Sequence, residues 1–374
     1  MNGMRLLSLL LPIWLVAQSP TPGVSIERVH GRCVGCRDNG YQWVLDDLQF
    51  VSPSDGWASA STDGECAGHA FGSATVVHTS DGGKTWRPIP GVEIHVVEER
   101  VPFWFISARQ GWLSWLDVGE PEDHLRRTTD GGRRWTELPE TLTGFWERLR
   151  FFDAKVGYGL NDSRFGTTTD GGYHWQFSDD ALVSALKPRA LLFLNQRIGW
   201  LGAGGGEKNA PSLLRTTDGG ATWQQGEVPA NLRGYPSDLF FVDADHGWVI
   251  LWNGFNTATS TLLRTDDGGR TWSEDTSWIA AARGQVIQQV RFVSSNLGLL
   301  TSRSRDIETL SGVEPCGDSN ALSLRQPSTL LVTLDGGRTW RRSELAEPTG
   351  SCQVMEGNVW CTSGRDLLKI RIRP

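Results

Sequence analysis

Six carboxylates in this chain share one setting. Asp81, Asp130, Asp170, Asp218, Asp267 and Asp335 each open an Asp-Gly-Gly stretch, each follows a Thr by two residues, and each precedes a tryptophan by five: Trp86, Trp135, Trp175, Trp223, Trp272 and Trp340. An Asp beside glycines can serve as an acid or base, as a cation ligand, or as the fastener of a tight turn. Recurrence separates these readings, because a catalytic residue is rarely needed six times. A calcium loop of the EF-hand kind would need several more oxygen ligands and a closing Glu, which no copy supplies. As a fastener each residue has a task. The Asp can accept backbone N–H groups a residue or two on, and the glycines supply positive φ. The Trp can bury roughly 150–250 Å² between neighbouring sheets, and Thr suits a strand end.

Other chemistry is thin. Cys33 and Cys36 form a CxxC, with no βαβ pattern around it and no second pair at zinc spacing. The glycine run at 202–206 lies in a strand-to-strand loop, with no helix after it to hold a phosphate. His69 and His78, near Cys66, are the one local hint of a metal site, and Glu120, Glu122 and Asp123 read as solvated loop acids. No cofactor, metal or catalytic residue is expected.

The boxes need elements to carry them. Between successive box Asp residues (81, 130, 170, 218, 267, 335) the separations are 49, 40, 48, 49 and 68 residues, the period of a propeller or solenoid array. The fifth copy divides into a strand at Leu239 to Val242, a turn, and a strand at Gly247 to Trp252. After a loop come a strand at Ser260 to Thr265, the box turn, and a strand from Arg270. Four short antiparallel strands make one propeller blade. Gly-aromatic or Gly-apolar pairs recur at Gly56-Trp57, Gly111-Trp112, Gly157-Tyr158, Gly199-Trp200, Gly247-Trp248 and Gly298-Leu299. With 44 glycines, 18 tryptophans and 3 methionines in 374 residues, the composition agrees with a single all-β domain. Six boxed blades span about 43–345. The tail 351–374 supplies three more strands, and a strand at Val24 to Val29 completes a seventh blade, since three strands alone would leave open edges. Six blades is the alternative.

The N-terminus has one positive charge at Arg5, an apolar run from Leu6 to Ala17 and small residues at Ala17 and Ser19. That is the anatomy of a signal peptide over 1–19, and the run is too short to span a bilayer. Export to a periplasm or the exterior permits disulfides. A two-residue turn at Glu356 and Gly357 sets Cys352 opposite Cys361 at a non-hydrogen-bonded position, within bridging reach. Pairing among Cys33, Cys36, Cys66 and Cys316 stays open, a Cys33–Cys36 bridge being preferred. The formal charge of −7 gives no overall basic surface for nucleic-acid phosphates.

The pattern S/T-x-D-G-G-x-T-W resembles the Asp-box, or BNR repeat, of sialidases, sortilin-type receptors and xyloglucan hydrolases. With the preceding strand pair in FVDADHGWVILW, it is most similar to the photosystem II stability and assembly factor family and its bacterial relatives. That resemblance implies a propeller and a non-enzymatic assembly or binding role toward a protein client, membrane proteins included, by a monomer with no membrane span of its own. A sialidase-like or other glycoside hydrolase acting on extracellular glycans is the alternative. The chain has no Arg-Ile-Pro motif, four tyrosines in all, and material for one propeller where xyloglucan hydrolases resemble two.

In such blades the box turns share one side of the disc with the first-to-second turns. The irregular second-to-third loops, Ser59 to Ser73, Asp117 to His124, Leu201 to Ser212, Asn253 to Thr259 and Arg303 to Ser328, share the other with the blade-to-blade connections. Binding resides in irregular loops on a rigid scaffold. Phe71, Trp115, Trp146, Trp252 and Phe255, beside Arg164, Glu207 and Lys208, are the candidate partner-binding residues.

Overall fold

The computed structural model describes residues 23–34, 43–62, 72–92, 94–96, 102–116, 123–139, 146–205, 210–253, 259–303, 328–345 and 348–373. They form seven sheets arranged as the blades of a propeller, each built on four antiparallel strands, which in blades 1 to 6 follow one another in chain order. The first strands of blades 1 to 7 are Trp43–Phe50, Phe103–Phe105, Trp146–Phe151, Pro188–Phe193, Tyr235–Phe241, Val286–Phe292 and Cys352–Met355. First strands of neighbouring blades touch one another, which puts them on the axis and the fourth strands at the rim.

Blade 7 is closed from the other end of the chain. Val24–Val29 pairs along Asp366–Ile372 from Val24 opposite Ile372 to Val29 opposite Leu367. The chain then crosses to blade 1, where Arg32–Cys33 lies parallel to the fourth strand Thr85–Pro88, so one segment binds the rims of both blades at the seam. Blade 1 carries a further strand, Ile94–Val96, on its third strand Gly72–Thr79.

The spacing Phe-x5-Gly-aromatic has a packing cause. In blades 1, 2, 4 and 5 the Trp of each Gly-Trp pair stacks flat on the first-strand Phe of the next blade. Trp57 lies on Phe105 at 3.7 Å, Trp112 on Phe151 at 3.6 Å, Trp200 on Phe241 at 3.5 Å and Trp248 on Phe292 at 3.6 Å, all within 11° of parallel. Each Phe also meets the box Trp of its own blade edge-on, as Phe241 meets Trp272 at 5.8 Å and 87°. The paired Gly is required because that Phe ring covers it: a Cβ at Gly247 would stand 2.4 Å from Phe241, and one at Gly111 would stand 2.3 Å from Phe105. Burying such aromatic pairs supplies both the area and the ring geometry that lock blade to blade.

Blade boundaries depart from the sequence reading in two ways. The first strand of blade 5 begins at Tyr235 and carries a bulge between Pro236 and Asp238, and bulges recur at the same place in blades 1, 3, 4 and 6. Its fourth strand begins at Ser273 rather than Arg270, because the box carboxylate holds Thr271 in the turn.

Candidate functional site

Each box turn closes on itself. In blade 4 the Thr216 hydroxyl donates to Asp218 Oδ1 at 2.7 Å and accepts the N–H groups of Asp218 at 3.3 Å and Gly220 at 2.9 Å. Asp218 Oδ1 accepts the Thr222 N–H at 3.0 Å, and its Oδ2 accepts the Thr222 hydroxyl at 2.6 Å. The other five boxes repeat the Thr-to-Asp bond and the bond from the fourth residue onward. The reach is thus four residues, not the one or two expected, and the Thr does the near work. The first box glycine donates its N–H to a carbonyl of the first-to-second turn in the same blade at 2.7–3.0 Å, which places both turns on one side of the disc.

These bonds set the charge state. Desolvation raises the Asp218 carboxyl, but the hydroxyl and N–H of Thr222 and the hydroxyl of Thr216 outweigh it and bring the pKa down to about 2. Asp267 falls to about 2 through Thr271 and Thr265, Asp170 to about 2 through the N–H and ring of His174 and the hydroxyl of Thr168, and Asp81, Asp130 and Asp335 are also lowered. A carboxylate held ionised with its oxygens occupied is a poor proton donor. Among the described residues no group of three or more His, Cys, Asp or Glu is placed to hold a metal.

The opposite side carries the candidate partner residues. Trp252 ends the second strand Gly247–Trp252 of blade 5, partly exposed, across from Tyr235 and Ser260. Arg164, exposed, opens the third strand of blade 3 just after a tight turn whose residues Asp162 and Ser163 both have positive φ. It lies over Phe177 at 4.3 Å and donates to Asn161 Oδ1. Trp115 stands in the second strand of blade 2, opposite His124. Phe71, Glu207, Lys208 and Phe255 lie outside the described residues, as do Cys36, Cys66 and Cys316. Trp146 is a correction: it opens the first strand of blade 3 and is 3% exposed, packed on Trp175 at 4.3 Å and over Gly159, whose Cβ would meet it at 2.5 Å. It is core, and no partner can reach it.

Sequence reasoning missed a set of clasps near the axis. Gln49 exchanges hydrogen bonds with the Phe105 backbone, and Gln353 with that of Phe50. Trp104 Nε1 donates to the Phe151 carbonyl, and Arg291 Nε to that of Cys352. Arg291 also meets Asp238 of blade 5 at 2.6 Å, both side chains being 16% exposed. The available signal was a polar or aromatic residue directly before the strand Phe, as in Gln49-Phe50, Trp104-Phe105 and Arg291-Phe292, a pattern that blade 4 breaks with Leu192.

Cys352 and Cys361 are joined, with Cα atoms 4.1 Å apart in opposed strands. Cys33 is disulfide-bonded to a partner outside the described residues. Among the described residues no helix is long and apolar enough to cross a membrane.

These features define a seven-bladed β-propeller of repeated box hairpins. Over 155 residues the chain is 27% identical to the chloroplastic photosystem II stability/assembly factor HCF136 of Arabidopsis thaliana, a match that takes in 40% of this chain and 34% of that protein, so it spans about a third of the curated relative's length. Among solved structures it is similar to YCF48 bound to D1 peptide, with a TM-score of 0.61 at 17% identity over 94% of this chain and 98% of that one. YCF48 from Cyanidioschyzon merolae gives 0.60 at 18% over 92% and 98%. The GH74 xyloglucanase of Xanthomonas campestris gives 0.57 at 16% identity, over 91% of this chain and 52% of that one. No family model matches the chain.

Proposed function

We propose that this protein is an exported, non-enzymatic binding module that holds a protein client on the loop face of its propeller, in the manner of a photosystem II assembly factor. The observation that carries the reading is the contrast between the faces. On the box face, the repeated acidic groups are occupied inside their own turns. Between second and third strands the blades stop being alike, from the two-residue turn before Arg164 in blade 3 to a chain length of 24 residues, 304–327, in blade 6. Variation on a rigid scaffold is where recognition is encoded. Likeness to a propeller solved with a peptide supports the same reading. The apolar N-terminal run and the Cys352–Cys361 bridge support export to an oxidising compartment.

A photo-crosslinking residue at position 252, on the loop face, is compared with one at 173, an exposed box residue (37%). In extract of the native compartment, discrete protein adducts are expected from 252 and not from 173, and Trp115→Ala with Trp252→Ala should weaken them while melting within a few degrees of wild type. Adducts from 173 alone, or from neither position, would overturn the reading.

A further inference from the structure

Blade 3 departs from its siblings twice, and both departures fall at one spot. Where blades 1, 2, 4 and 5 lay a Trp flat on the next Phe, blade 3 has Tyr158, which meets Phe193 at 4.4 Å and 39°. Its hydroxyl accepts the Phe193 N–H at 3.1 Å, which holds the smaller ring away from the flat stack. A cavity of about 230 Å³ lies there, bordered by Trp104, Phe152, Leu192 and Leu194 as well as Tyr158 and Arg150. Leu194 is 39% exposed, and Phe152 and Leu194 both enter first-to-second turns, so the cavity stands on the box-face side, away from the loop face.

The second departure is Arg150. It holds the position before the strand Phe, where Gln49, Trp104 and Arg291 clasp the next blade, as Gln353 does from the corresponding place in blade 7. In blade 3 Tyr158 already makes the bond to Phe193, and Arg150 is left over. Its guanidinium lies over the face of Trp104 at 4.1 Å and pairs with no carboxylate among the described residues. Asp47 attracts it only at longer range, and Arg291 opposes it. Desolvation pushes its pKa down, although the residue remains partly exposed. Lining the cavity and paired with no carboxylate among the described residues, it has N–H donors to offer an incoming anion. Local rules are broken in this way where function requires it.

We propose that this cavity binds an organic carboxylate whose apolar body is about the size of one large side chain, with Arg150 taking the carboxylate and Trp104, Phe152, Leu192 and Leu194 the body. Arg suits a carboxylate through paired N–H donors, and the volume falls below the roughly 300–1,000 Å³ of drug-sized sites. The site is independent of the loop-face reading and stands or falls separately.

Titration calorimetry on the full chain tests it with 4-methylpentanoate and N-acetylglycyl-leucine, each against its amide. Both acids, or one of them, should bind at least tenfold more tightly than the matching amide, and Arg150→Gln should abolish that preference. Tyr158→Trp, which installs the sibling blades' own residue and fills the cavity, should weaken acid binding at least tenfold in a protein that melts cooperatively. Tighter binding of the peptide acid would make the ligand a polypeptide C-terminus, and tighter binding of the free acid a small metabolite; either supports the site. Equal affinity for acid and amide, no binding of either acid at millimolar concentration, or undiminished binding by folded Tyr158→Trp would overturn it.

Discussion

At the scale of single residues, the box depends on its Thr as much as on its Asp. Thr216 is 2% exposed and joins three partners, whereas Asp218 is exposed at the turn. Thr216→Val keeps the shape and leaves the buried Gly220 N–H without its acceptor, which should cost about 1–3 kcal/mol in denaturant unfolding; Thr216→Ser should cost much less. The carboxylates show instead in acid. With folded values of about 2 for Asp170, Asp218 and Asp267 against an ordinary 3.8, the unfolded chain takes up protons first as pH falls. Their stabilisation is complete above about pH 4 and is lost as pH drops toward 2. Unfolding midpoints at pH 7, 4 and 2.5 should fall over that last interval, and Asp218→Asn should flatten the fall. A midpoint that does not change between pH 4 and 2.5 would contradict this reading.

Strands and blades were legible where a residue type can do only one thing. Glycine six residues after a strand Phe marks the ring that covers it, so the first-to-second hairpin of each boxed blade could be placed from the text alone. Gly247→Ala tests that cause, because Phe241 is fixed between Trp200 and Trp272 and cannot yield. We expect a loss of about 1–3 kcal/mol, the usual cost of overpacking. Trp223→Ala, by removing a ring that is 4% exposed between Phe165 and Phe193, should cost about 3–5 kcal/mol while leaving adducts at position 252 intact in the folded fraction. What was not legible depended on distance in space. Trp146 reads as a loop aromatic until the bulged first strand is seen to start there, and Arg150 reads as one more strand cation until Tyr158 is seen to have taken its bond. Likewise, no local pattern shows that Gln353 will reach Phe50 across 303 positions.

For the whole molecule the question is how a ring made from one chain stays shut. Blade 7 has neither box nor strand Phe, and Leu299 of blade 6 faces it as an aliphatic neighbour of Val359 and Ile370. On its far side Trp360 restores the ring's aromatic contact, meeting Phe50 of blade 1 at 5.2 Å. The Cys352–Cys361 bridge closes a short loop inside blade 7, so its loss should cost only about 2–3 kcal/mol on chain-entropy grounds. The N-terminal strand has a different task. Without Val24–Val29, the strand Asp366–Ile372 becomes the rim, with its backbone groups unpaired over Leu367, Leu368 and Ile370. An edge of that length and apolarity is a template for another chain. Deleting residues 24–29 should therefore give a protein that melts earlier and elutes as larger species than the parent in size-exclusion chromatography with light scattering. Cys352→Ala with Cys361→Ala should melt only slightly earlier and elute as the parent does. If the deletion variant keeps the parent's elution and melting temperature, ring closure lies in the axial clasps and the aromatic ladder instead of the outer strand.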